Sequence, residues 1–101
     1  MSGYNLLTPK TAGTVNIAAT TGGASVALGP QGRVIRVYNA DTTNIAFIEF
    51  GDAAVVASAS TGVPIGPGQV AGFTRAESIT HVAAITGTST ATVYFTPGDG
   101  A

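Results

Sequence analysis

The sequence predicts an all-β protein, a single β-sandwich of about eight antiparallel strands, and three observations carry that reading. Hydrophobic residues make up 45 % of the chain and fall in short alternating runs. Gly, Pro, Ser, Thr or Asn interrupt those runs about every ten residues, the spacing of turns between short strands. Charged residues make up only 9 %, so the polar half of each alternation is Thr, Ser, Ala and Gly. Alternation of period two marks a strand with one buried face, and two sheets that bury one face each make a sandwich. At 101 residues the chain is one domain,. We divide it into an N-terminal arm over 1–13 and a sandwich over 14–101.

In the arm, Tyr4, Leu6 and Leu7 are apolar, but Pro9 interrupts the run before a strand is expected to form,. Such an arm either folds back on its own domain or lies across a neighbour. Thr14 to Ala19 alternates with Val15 and Ile17 on one side, and Gly22-Gly23 is a turn. Ala24 to Leu28 aligns Val26 with Leu28 and ends at Gly29-Pro30-Gln31-Gly32. Arg33 to Asn39 and Ile45 to Phe50 are the strongest pair of strands, joined by Asp41-Thr42-Thr43-Asn44. Ala53 to Ala59 lacks clear alternation and reads as a short strand or an irregular crossover. Val63 to Ile65 contains Pro64, which places it at a sheet edge,. Pro67-Gly68 is suited to the centre of a type II turn, Pro fixing φ and Gly permitting φ > 0. Gln69 to Arg75, Thr80 to Thr86 and Thr90 to Thr96 complete the series.

Two hairpins can be written with a register. Pairing Ala40 with Ile45 sets Tyr38 opposite Phe47 and Arg36 opposite Glu49, with Val37–Ile48 and Ile35–Phe50 on the core side. A slip of one residue would bury Arg36 and Glu49. A type II′ turn at Gly87-Thr88 sets Val82 opposite Val93, Ala84 opposite Ala91 and His81 opposite Tyr94,.

Composition narrows function. Four basic and five acidic residues give a formal net charge of -1, without the basic stripe that nucleic-acid binding requires,. Lys10, Arg33, Arg36 and Arg75 are scattered in sequence. The first ten residues lack the pattern of a signal peptide, and no apolar run approaches the ~20 residues of a membrane span. There is no Cys to form a disulfide, so tight packing and oligomerisation are the expected sources of stability,. A surface this poor in charge is expected to be covered in part by copies of itself or by a larger assembly.

Little in the chain points to chemistry. His81 is the one imidazole, with no G-x-S-x-G motif to supply a nucleophile,. One His cannot make a zinc site alone, and Asp41, Asp52 and Asp99 sit in no calcium-loop pattern, so turn formation is their expected role,. Gly66 to Gly72 is Gly-rich, but Pro67 removes an N–H and no Gly-Lys-Ser/Thr follows, so it is not a phosphate loop,. Glu49 and Glu77 are the nominal carboxylate pair for glycoside hydrolysis, but Glu49 already has Arg36 as its expected partner. The reading is therefore of a protein that is not an enzyme and holds no metal or cofactor. The candidate functional residues are surface apolar groups: Tyr38, Phe47 and Tyr94 on strands, with Leu6 and Leu7 in the arm, expected to form an interface,.

Three segments carry a resemblance: RVIRVYNADTTNIAFIEFGD from Arg33, VPIGPGQVAGFTR from Val63 and HVAAITGTSTATVYFTPGDG from His81. They span about two thirds of the chain and resemble small β-sandwich structural proteins of tailed bacteriophage virions. The resemblance implies a jelly-roll or related core and a head-decoration (cement) or minor head or tail role. It also implies assembly as a homo-oligomer, with a trimer as the expected form. Partners would be the major capsid protein or other virion proteins, and the location the virion, assembled in the host cytoplasm. Two other readings stay open. A tail-fibre or carbohydrate-binding adhesion module would use the exposed aromatics on sugars. A small hydrolase or isomerase on a cupin-like barrel is disfavoured by the single His and the absence of a His-x-His pair.

Overall fold

The computed structural model describes residues 7–9, 13–29 and 32–100. Among these residues nine strands form: β1 Leu7–Pro9, β2 Val15–Ala19, β3 Ala24–Ala27, β4 Val34–Asn39, β5 Ala46–Gly51, β6 Val63–Ile65, β7 Val70–Thr74, β8 His81–Thr86 and β9 Ala91–Gly100. There is no helix among the described residues. All pairings are antiparallel, and the strands divide into two sheets.

The five-stranded sheet runs from β9 through β4 to β7. Along the other side of β9 lie β2, against Ala91–Phe95, and β1, against Gly98–Gly100. The four-stranded sheet has the order β3-β8-β5-β6. Four of the pairs are nested in sequence: β5 with β6, β4 with β7, β3 with β8 and β2 with β9. This is one long antiparallel hairpin wound over itself, and the winding adds the seams β4–β9 and β5–β8. That strand order is a jelly roll.

The inner faces carry the apolar half of each alternation. Ile17, Ala19, Ile35, Val37, Val93 and Phe95 from the larger sheet meet Ala46, Ile48, Ile65, Val82 and Ala84 from the smaller, all in one buried cluster. Each of the Val, Ile and Phe side chains contributes about 1.5–3 kcal/mol by leaving water, and each Ala less. At the cluster's margin Phe50 of β5 and Phe73 of β7 span the gap between sheets, ring centroids 5.3 Å apart.

Both expected hairpins are corrected. β4 and β5 lie in different sheets, so Tyr38 does not face Phe47, nor Arg36 Glu49; Arg36 lies between Thr96 and Gly72, and Glu49 beside Ala83. β8 and β9 are likewise separated, and His81 lies between Ala27 and Gly51, away from Tyr94. The links themselves explain this. Thr86 at the end of β8 donates its N–H to Thr20 O (3.0 Å) and its hydroxyl to Ser89 O (2.7 Å), with Ser89 at φ 58°. The chain thus swings out of one sheet and into the other. The inward faces of Val37 and Ile48 are as expected, but these residues bury themselves from opposite sheets.

Turn chemistry matches the residues. Gly66 O accepts from Gln69 N (3.0 Å) around Pro67-Gly68, and Gly68 has φ +74°, which favours glycine at that position of a type II turn,. β6, which contains Pro64, is an edge strand. Pro9 does not prevent a strand: Leu7–Pro9 forms β1, paired with the end of β9 on its own chain.

The two outer faces differ. Residues 52–62 make no strand and run over the smaller sheet. Ala83 points outward yet is only 2 % exposed, Ala57 in the crossing segment is 6 % exposed, and Gly51 and Gly62 lie tight against Val55 and Phe47. Among the described residues, none covers the outer face of the larger sheet across β4, β7 and β9.

Candidate functional site

That outer face is built by outward residues in lateral rows. Register puts Asn16, Tyr94, Tyr38 and Val70 in one row across β2, β9, β4 and β7. The next row is Thr14, Thr96, Arg36 and Gly72, with Thr14 Oγ1 2.9 Å from Thr96 Oγ1. Tyr38 and Tyr94 stack with ring centroids 6.4 Å apart and planes 23° from parallel. They are 40 % and 38 % exposed, and Val70 is 58 % exposed. Directly opposed aromatics on neighbouring strands stabilise one another by about 0.5–1.5 kcal/mol, which also holds the rings in place for a partner. Arg36 is the one charged side chain at the outward positions of these four strands. The surface thus has an aromatic centre, a hydroxyl-rich surround and little to repel a second protein.

Of the expected interface residues, the structure brings Tyr38 and Tyr94 together and separates Phe47 from them. Phe47 is half-buried on the outer face of the smaller sheet, opposite Pro64 and Ile85, with Gly62 against its Cβ. It also lines a shallow hollow of about 270 Å³ with Asn44, Ile45 and Gly87. Leu7 is placed through its backbone, opposite Gly100. Leu6 lies outside the described residues.

A second concavity lies at one end of the sandwich. Gly32, Arg33, Arg75, Ala76, Glu77 and Asp99 line a cleft of about 780 Å³. Arg33 and Arg75, distant in sequence, meet here: Arg75 N donates to Arg33 O (2.8 Å), and Arg33 N to Asp99 Oδ1 (3.4 Å). The Arg75 side chain is buried and its Nε donates to Ile79 O at 3.0 Å. Burial pulls its pKa down from the ordinary value, yet a guanidinium keeps its charge. Two cations and two carboxylates share this wall, an arrangement that ties β4, β7 and β9 together.

His81, Asp52 and Asp41 make local polar contacts. His81 Nδ1 is 2.9 Å from Thr80 Oγ1. Asp52 accepts from Ala54 N at 2.9 Å. The described residues hold no group of three or more His, Cys, Asp or Glu arranged to bind a metal ion. Asp41 Oδ2 accepts from Thr43 N (2.9 Å), Asn44 N (2.6 Å) and Thr43 Oγ1 (3.2 Å). These bonds favour the carboxylate, the Thr43 backbone bond most, and lower its pKa below the ordinary carboxylate range,. The folded state therefore holds the proton less tightly than the unfolded chain. The resulting stability is fully present above the ordinary range and is lost as pH falls through the lowered folded value. Urea unfolding of wild type and Asp41→Ala across pH is expected to show a gap at neutral pH that closes in acid; a constant gap would contradict it.

Sequence reasoning missed Asn39, which ends β4 fully buried and holds one end of the sandwich. Its Nδ2 donates to Asn44 O and Ile65 O, both at 2.9 Å, and its Oδ1 accepts from Asp41 N at 3.0 Å. An Asn beside Asp41 in a turn-rich stretch was the only signal available, and it points to a turn.

The chain matches no protein-family model, no curated protein and no solved structure.

Proposed function

We propose that this protein is a structural assembly component, of the kind that decorates a tailed-phage head, and that it docks through the outer face of its five-stranded sheet. The observation that carries this reading is the asymmetry between faces. Residues 52–62 cover the smaller sheet, whereas among the described residues the stacked tyrosine pair on the larger sheet stays partly exposed. Exposed patches with aromatic centres and few charges are the usual ground of protein contacts. The virion assignment rests on the segment resemblance, and the face is the physical means. Docking would remove the tyrosine rings from water against a shell site present only after assembly. Stabilisation would grow with occupancy by mass action, and many copies would add avidity.

The test is co-sedimentation with particles of the phage that encodes the protein. Wild type is expected to travel with the heads. A Tyr38→Ser/Tyr94→Ser variant, folded by circular dichroism, is expected to bind at least about tenfold more weakly, as when a central aromatic anchor is lost. Equal binding by the variant, or no binding by wild type, overturns the proposal. Association with tails instead of heads would move it to the tail. Loss of glycan-array binding in the same variant would assign the face to sugar.

A further inference from the structure

The free edge of β7 carries an inference that goes beyond the docking face. Arg75 N bonds to Arg33 O and Asn39 N to Gln69 O. In an antiparallel ladder hydrogen-bonded pairs recur at every second residue, so Phe73 and Ala71 turn their backbone groups to Ile35 and Val37. Val70, Gly72 and Thr74 therefore turn theirs the other way, off the sheet. All three are exposed. Among the described residues no strand pairs with this edge, so three consecutive pairing positions on one strand stand open.

An open edge is a template for another strand, and sheets normally blunt it with charge, proline, shortness or cover. The other edges here are treated in those ways. β6 has three residues including Pro64, and β1 has three including Pro9. β2 and β3 lie against each other and close that side of the sandwich, where Thr86 N also bonds to Thr20 O. β7, Val-Ala-Gly-Phe-Thr, has neither charge nor proline.

The strand is also self-complementary. We propose that β7 pairs antiparallel with β7 of a second copy about a twofold axis through Gly72, joining two five-stranded sheets into one. On that axis Gly72 meets Gly72 of the other copy, and Val70 meets Thr74 on either side. Each is a hydrogen-bonded pair exchanging two bonds. The outer face then sets Val70 beside Thr74 without like charges. At Gly72 a Cβ would meet nothing within 4 Å, so no side chain bars the approach. On the inner face half-buried Ala71 and Phe73 of one copy meet Phe73 and Ala71 of the other, small against large. A net charge of -1 gives little repulsion between copies. A strand pair of this length buries less than the ~800 Å² per partner of a stable interface, so the dimer forms reversibly and with concentration.

Two measurements test this. Amide exchange on wild type is expected to slow with rising concentration at Val70, Gly72 and Thr74, and to stay constant at Ala71 and Phe73. Sedimentation over the same range, up to roughly 1 mM, is expected to show a mass rising towards twice that of the chain. V70K/T74K places like charges opposite each other and abolishes the rise. V70K/T74E, which places opposite charges there, restores it. Tyr38→Ser/Tyr94→Ser leaves it unchanged, which separates the edge from the docking face. A concentration-independent exchange pattern, or a V70K/T74K dimer as strong as wild type, overturns the pairing.

Discussion

Phe95→Ala is expected to destabilise the protein by about 3–5 kcal/mol, the cost of emptying a fully buried aromatic site. Phe95 is the largest fully buried side chain among the described residues, flanked in its sheet by Val15 and Val37. A domain of this size has a total stability of about 5–15 kcal/mol, so the substitution removes a large share of it. Urea denaturation gives the number directly. The neighbouring Tyr94→Ser is the control. One residue away along the strand, its side chain points to the opposite face, and its loss is expected to cost about 1 kcal/mol, the worth of an exposed aromatic pair. Comparable losses at 94 and 95 would show that the sandwich does not divide inside from outside as described.

Asn39→Asp is expected to cost about 3–5 kcal/mol through polar groups rather than a cavity. The carboxylate would replace an amide that donates to Asn44 O and Ile65 O. It would face both carbonyls with no hydrogen to offer, in a site closed to water. Asn39→Leu removes the charge problem but still strands those carbonyls and the Asp41 N–H, each unmade bond costing about 1–3 kcal/mol,. Both variants should lower the urea midpoint sharply. A loss under about 1 kcal/mol in both would mean that neighbouring groups or water take over the bonds.

These two residues mark how far the sequence could be read. Period-two alternation correctly places Ile35, Val37, Val93 and Phe95 inside and Arg36, Tyr38 and Tyr94 outside, because one buried face is all that alternation encodes. Pro64 and Gly68 were legible for the same local reason, through a missing N–H and a positive φ. Neighbour relations were not. An inward valine is equally well buried by a residue beside it in its own sheet or by one across the gap. Val37 and Ile48 therefore suggested a hairpin that the wound topology does not contain. Tyr38 finds Tyr94 rather than Phe47 because β4 pairs with β9, a contact fixed by the winding of the whole chain. Asn39 was illegible because its burial depends on the Ile65 carbonyl, twenty-six residues later. Residues 52–62 carry no periodic signal, so their role as the cover of Ala83 could not be seen in advance.

The nested order of the strand pairs also bears on the protein's birth at the ribosome. The innermost pair, β5 with β6, is local and can close early, whereas β9 belongs to the outermost pair and seams β4 as well. Until β9 has emerged, Val93 and Phe95 are missing from the interior and β4 has a naked flank. Pairings that close long loops are slow to form, and an incomplete sheet is prone to stray association. A nascent chain of this kind can therefore complete its larger sheet only once β9 has been translated.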